Sequence, residues 1–107
     1  MESHLIYTAS SHMKGMANWN EWVYCGIEDD IKEDVISGSI NEYFQDSVLY
    51  FVSNRKDSGE IDKQNILERL KQELGQNELF LWSTDFKKVI EFNKIGVMRS
   101  GLVPTTM

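Results

Sequence analysis

Lys87-Lys88-Val89-Ile90-Glu91-Phe92-Asn93-Lys94-Ile95-Gly96-Val97-Met98-Arg99-Ser100-Gly101 is the stretch whose reading decides the fold. Phe86, Val89, Ile90 and Asn93 fall at helical spacing, with Ser83 or Thr84 placed to cap a short helix. Against that, Val89-Ile90-Glu91-Phe92 is β-branched and aromatic strand material. Asn93-Lys94-Ile95-Gly96 puts Asn first and Gly fourth, the order preferred by a type I turn with a following bulge. We read a hairpin, with arms at residues 88–92 and 97–101. A helix at residues 87–93 is the alternative, and it would make the chain a small alternating α/β fold.

Working outward, Leu79–Trp82 is apolar without alternation, and so is Val48–Val52 within a strand predicted over residues 47–53. Strands that lack alternation are covered on both faces, so both are expected to be central. Residues 54–59 form a polar connection. Residues 60–74 read as a helix with the stripe Ile66, Leu67, Leu70 and Leu74, and Gly75 is placed to end it. A second helix is predicted over residues 32–45 from Val35, Ile36, Ile40, Tyr43 and Phe44. Its Ser37-Gly38-Ser39 centre is weak, since Gly costs about 1 kcal/mol inside a helix. Residues 22–27 read as a strand, with Val23, Cys25 and Ile27 on one face and Trp22, Tyr24 and Gly26 on the other. The fold class is therefore α+β: one domain over residues 19–103, with a mixed sheet of about five strands and two main helices on one of its faces. Residues 1–18 read as a flexible lead-in in which Leu5-Ile6-Tyr7 could add an edge strand. Ser11-His12-Met13 matches a common cloning remnant, so part of that segment is expected to be non-native. Residues 104–107 form a frayed tail.

The 107 residues fit a single domain, and 41% hydrophobic residues with three Trp, four Tyr and five Phe suffice for a core. The apolar runs are far shorter than the ~20 residues of a membrane span. No basic region followed by an apolar core opens the chain, so cytoplasmic residence is the expectation. The single Cys25 has no internal disulfide partner and reads as a small buried hydrophobe.

Charge carries the functional reading. Glu28, Asp29, Asp30, Glu33 and Asp34 are interrupted only by Ile31 and Lys32, so this run holds net −4 of a whole-chain −6. That balance argues against nucleic acid, whose phosphates are neutralised by Lys and Arg. Part of the run has a structural reason, because acids in a first turn complement the helix dipole. The basic spots, Asn54-Arg55-Lys56, Lys87-Lys88 and Arg99, are scattered. A small basic patch is conceivable only if Lys88 and Arg99 meet across the hairpin.

Catalytic chemistry finds little equipment. No glycine-rich phosphate loop is present. His4 and His12 are the only histidines and lie in the lead-in, which leaves the predicted body without a zinc set or a nucleophile–base pair. The acidic run also lacks the spacing and turn glycine of a calcium loop. No catalytic residue, metal ligand or cofactor is assigned.

The acidic run instead reads as a partner-binding surface. Trp19, Tyr24 and Tyr43 are the candidate aromatic anchors within a rim of Glu28, Asp29, Asp30, Glu33 and Asp34. Trp22 is expected to pack in the core, as is Trp82 with its N–H directed toward the surface. Asp85 reads as a turn or cap residue.

A small acidic α+β chain with a dense carboxylate run, nearby tryptophans and no catalytic set resembles the immunity proteins that bacteria carry against polymorphic and contact-dependent-inhibition toxins. The resemblance implies a stoichiometric inhibitor of a basic protein, a cognate toxin of nuclease type, with neither nucleic acid nor membrane as ligand. Two other classes stay open on sequence: a non-inhibitory adaptor, monomeric or homodimeric, and a carboxylate-dependent enzyme.

Overall fold

The computed structural model describes residues 2–26, 30–53, 57–74 and 77–104. Its elements in order are α1 (Ser3–Met13), β1 (Asn18–Trp19), β2 (Val23–Tyr24), α2 (Glu33–Tyr43), β3 (Val48–Val52), β4 (Gly59–Asp62), α3 (Ile66–Glu73), β5 (Leu79–Trp82), β6 (Lys88–Asn93) and β7 (Val97–Leu102). Among the described residues seven strands form one sheet in the order β1-β7-β6-β5-β3-β4, with β2 also on β7. Every ladder is antiparallel, which corrects the expectation of a mixed sheet of about five strands.

The hairpin reading holds. β6 pairs with β7 from Lys88↔Leu102 to Asn93↔Val97. Its turn closes with the Gly96 N–H on the Asn93 carbonyl at 3.0 Å, and the Ile95 N–H donates to Asn93 Oδ1 at 3.1 Å. Gly96 sits at φ 97°, which only glycine adopts without penalty. At the start of β6, the Ser83 hydroxyl and the Asp85 carboxylate accept the Lys87 N–H, so Asp85 is the turn residue expected.

The two central apolar strands feed cores on opposite faces of the sheet. Leu49, Phe51, Leu79 and Leu81 pack with Ile36, Ile40 and Phe44 of the α2 segment and Ile66, Leu70 and Leu74 of the α3 segment. Tyr50, Val52, Phe80, Trp82 and Val89 pack on the other side with Ile6 of α1. The helices therefore lie on both faces, and three layers result. The second cover comes from the stretch expected to be a loose lead-in. Residues 5–7 are helical rather than strand, and Ile6 and Ser10 are buried. Trp82 is fully buried and its indole N–H donates to Ser10 Oγ at 2.7 Å, so that N–H faces α1 and not the surface. His4 and His12 accordingly sit on a packed helix, on its exposed side.

Two boundaries differ from expectation. Residues 60–62 belong to β4, which pairs with β3 from Val48↔Asp62 to Phe51↔Gly59, and α3 begins only at Ile66 after a 3-10 turn. The strand expected at residues 22–27 is limited to Val23–Tyr24, and Ile27 lies outside the described residues. No helix among the described residues is long and apolar enough to cross a membrane.

Candidate functional site

Residues 18–26 run as a broken edge strand along β7. Trp19 pairs with Gly101, the Asn20 N–H bonds the Ser100 carbonyl at 2.8 Å, Val23 pairs with Met98, and the Cys25 and Gly26 N–H groups both reach the Gly96 carbonyl. Glu21 and Trp22 make the break. The result is three consecutive exposed apolar residues: Trp22 at 42%, Val23 at 52% and Tyr24 at 52% relative exposure. A lone exposed apolar side chain is ordinary, whereas three in succession along a sheet edge, Trp22 and Tyr24 on one face and Val23 on the other, make that edge a candidate contact surface.

Trp22 was expected in the core, and the structure places it outside for a definable reason. The Arg99 guanidinium lies 4.3 Å from the Trp19 ring centre and 4.3 Å from that of Trp22. Its Nε donates to Glu91 Oε1 at 2.8 Å, directly across the hairpin. Gly101 permits this stack, because a β-carbon there would meet Trp19 Cε3 at 2.8 Å. Trp19 is thus half-buried over β7, and Trp22 is seated on an arginine whose own charge is compensated.

The described residues of the acidic run are tied back to this strip by hydrogen bonds. Gly26 has φ 82°, and a β-carbon there would lie 1.9 Å from the Asp30 carbonyl oxygen. The Lys32 N–H closes the loop on the Cys25 carbonyl at 2.8 Å. The Tyr24 hydroxyl donates to Asp30 Oδ2, and Lys32 Nζ lies 3.0 Å from Oδ1. The Tyr24 bond, aided by Lys32, holds the Asp30 carboxyl below the usual carboxylate range, while the same bond raises the Tyr24 phenol. Glu33 lies 3.1 Å from Lys71 of α3. Asp34 has no ion-pair partner among the described residues. Glu33 and Asp34 also occupy the first turn of α2, where they complement its dipole. Glu28 and Asp29 lie outside the described residues. The described part of the run is therefore partly neutralised, not a bare cluster.

Tyr43 is half-buried and held from within the fold. Its hydroxyl donates to the Gly101 carbonyl, its ring meets Phe44 edge-on at 5.4 Å, and Lys88 Nζ lies 5.6 Å over its face. Burial pushes its phenol up. Lys88 and Arg99 form no basic patch: Lys88 faces α2, whereas Arg99 pairs with Glu91 on the opposite face. Residues 54–56 lie outside the described residues. Cys25 is fully buried, and that burial pushes its thiol up to about 11. Among the described residues no three His, Cys, Asp or Glu side chains converge where a metal ion could be held.

Of the eight residues expected to bind a partner, the structure brings Tyr24 and Asp30 into direct contact and places Asp34 on the next helix turn. It adds Trp22 and Val23 as exposed neighbours on the β2 edge, on the two faces that strand alternation assigned them: Trp22 lies over Arg99, and Val23 pairs with Met98 of the α2-side core. The available signal was their position between Glu21 and the acidic run.

No family model, no curated protein and no solved structure matches this chain.

Proposed function

We propose that this chain is a stoichiometric protein-binding inhibitor of the immunity-protein kind, which neutralises a basic toxin of nuclease type in the cytoplasm. The observation that carries the reading is the exposed Trp22-Val23-Tyr24 edge, with Trp22 seated on Arg99, Tyr24 bonded to Asp30 and Glu21 next to it in the chain. Exposed aromatics supply the buried centre of an interface, and a charged rim steers encounter and fixes orientation. A partner that binds phosphates carries the complementary basic surface. The strip is also preorganised, because the Arg99 stack and the Tyr24–Asp30 bond hold two of its rings before binding, which lowers the ordering cost of association.

Self-association through the sheet edges is disfavoured by charge. Glu60 and Asp62 lie on the outer strand β4 and Glu21 beside β2, so like copies meeting edge to edge bring acids together. This supports a monomer that awaits a partner over a homodimer.

The reading is tested by capture from a lysate of the source organism, with the tagged full chain and its Trp22→Ala/Tyr24→Ala variant side by side. A basic protein held to high salt by the parent chain, and lost from the variant at an unchanged urea midpoint, supports the surface. Equal retention by both, or no retained protein, overturns it.

A further inference from the structure

Beside the exposed strip, a cleft of about 410 Å³ opens between α2 and the sheet, with Glu21, Val23, Ser39, Glu42, Ile90 and Met98 among its lining. We infer that this cleft is a socket for an arginine side chain of the protein partner. The inference rests on the proposed docking surface and deepens it by naming what the partner inserts.

The floor is apolar. Ile90 and Met98 are buried members of the α2-side core, and Val23 pairs directly with Met98, so its side chain shares that face. Polar groups come from two walls. Glu21 belongs to the break between β1 and β2, while Ser39 and Glu42 are three residues apart on α2 and so share a helix face. Neither Glu21 nor Glu42 has an ion-pair partner among the described residues, whereas Asp30, Asp57, Glu73, Glu91 and Glu33 do. Two uncompensated carboxylates bordering one cleft repel each other and accept a cation between them. Arg99 borders the cleft through its strand, but strand alternation and its bond to Glu91 carry its guanidinium to the opposite face of the sheet.

The shape selects the ligand. Ligand pockets span about 300–1,000 Å³, and this cleft, at the small end, has room for one long side chain with water beside it. An apolar floor below a charged mouth matches a side chain with an aliphatic stem and a cationic head. Two carboxylates and the Ser39 hydroxyl offer several acceptors along the cleft. A guanidinium, with five donors in a planar fork, engages such a set better than an ammonium does. The socket adjoins Val23 at the β2 edge, on the sheet face opposite the Trp22–Arg99 stack, so a partner that seats an arginine in it lies along that edge.

The test uses the full chain and Nα-acetyl-arginine methylamide as probe, followed by ¹H–¹⁵N correlation spectra. The citrulline analogue, equal in shape but uncharged, and the lysine analogue serve as comparisons. The expected result is saturable shifts centred on Glu21, Val23, Ser39, Glu42 and Met98, weaker with lysine and absent with citrulline. Glu21→Gln with Glu42→Gln should weaken the arginine probe about tenfold at an unchanged urea midpoint, as loss of charge-assisted hydrogen bonds implies. Glu60→Gln with Glu68→Gln should leave its affinity unchanged. No response, shifts spread equally over Glu60, Asp62 and Glu68, an equal citrulline response, or undiminished affinity in the Glu21/Glu42 variant would each overturn the socket. The socket and the docking surface fail separately. If the Glu21/Glu42 variant still captures the basic partner while the Trp22/Tyr24 variant does not, the socket falls and the surface stands.

Discussion

Arg99→Ala should be among the most damaging single changes in this domain. Glu91 is the one largely buried carboxylate of the described sheet, its side chain 9% exposed against 28% for Arg99. Removing one partner of such a pair leaves an uncompensated buried charge, a loss of 3–5 kcal/mol in fully buried cases, and the partial exposure of Arg99 puts it near ~3 kcal/mol. The two tryptophan stacks add about 0.5 kcal/mol each at a half-exposed site. The expected total, about 3–4 kcal/mol, is a large share of the 5–15 kcal/mol that typically holds a domain together. With a urea slope of about 1.5 kcal/mol/M, the midpoint should fall by about 2 M. Glu91→Leu with Arg99→Leu removes both charges and should recover at least about 1.5 kcal/mol of that loss, since apolar replacement of a buried pair is often neutral. Urea unfolding of the three variants measures the whole cycle. An Arg99→Ala midpoint equivalent to less than about 1 kcal/mol of loss would refute the idea that this pair and its stack hold the strip in place.

Ser10→Ala leaves the Trp82 indole N–H buried without an acceptor and should cost about 1–3 kcal/mol in urea unfolding; a neutral result would mean that α1 is not docked on the sheet as described. Gly26→Ala forces an L residue to positive φ against the Asp30 carbonyl and should cost about 3 kcal/mol, with loss of the Tyr24–Asp30 bond visible as a shift in tyrosine absorbance. Cys25 should ignore a thiol reagent in the folded protein at neutral pH and react on unfolding. Because its folded pKa is raised, its contribution to stability is complete below pH 9.0 and is lost as pH rises toward about 11, a slope that Cys25→Ala should flatten. Reversal of Asp30 and Asp34 to Lys should slow association with the basic partner about tenfold and flatten its salt dependence, as stopped-flow mixing would show.

The central fold was legible because local chemistry settles it. Val48–Val52 and Leu79–Trp82 have no polar face, and such strands exist only under cover on both sides. Asn93 and Gly96 define the hairpin turn without help from distant residues. The second layer of cover was illegible for a specific reason: the buried stripe of α1 includes Ser10, which reads as polar until Trp82 is known to donate to it. β4 has one apolar residue, Ile61, and owes its strand conformation to the β3 ladder rather than to its own composition. The site divides in the same way. Tyr24 and Asp30 are close in sequence and their contact follows from a tight turn at Gly26. The position of Trp22 depends on a cross-strand Arg99–Glu91 pair that no local pattern discloses, and Tyr43 is drawn inward by the Gly101 carbonyl.

The central claim is stoichiometric inhibition of a basic protein, and the most direct measurement is a titration of the captured partner's own activity with this chain. The account predicts a linear loss of nuclease activity that ends at one chain per partner, and a right-shifted, salt-sensitive titration for the Trp22→Ala/Tyr24→Ala variant. Full activity of the partner at saturating amounts of the folded chain would contradict it.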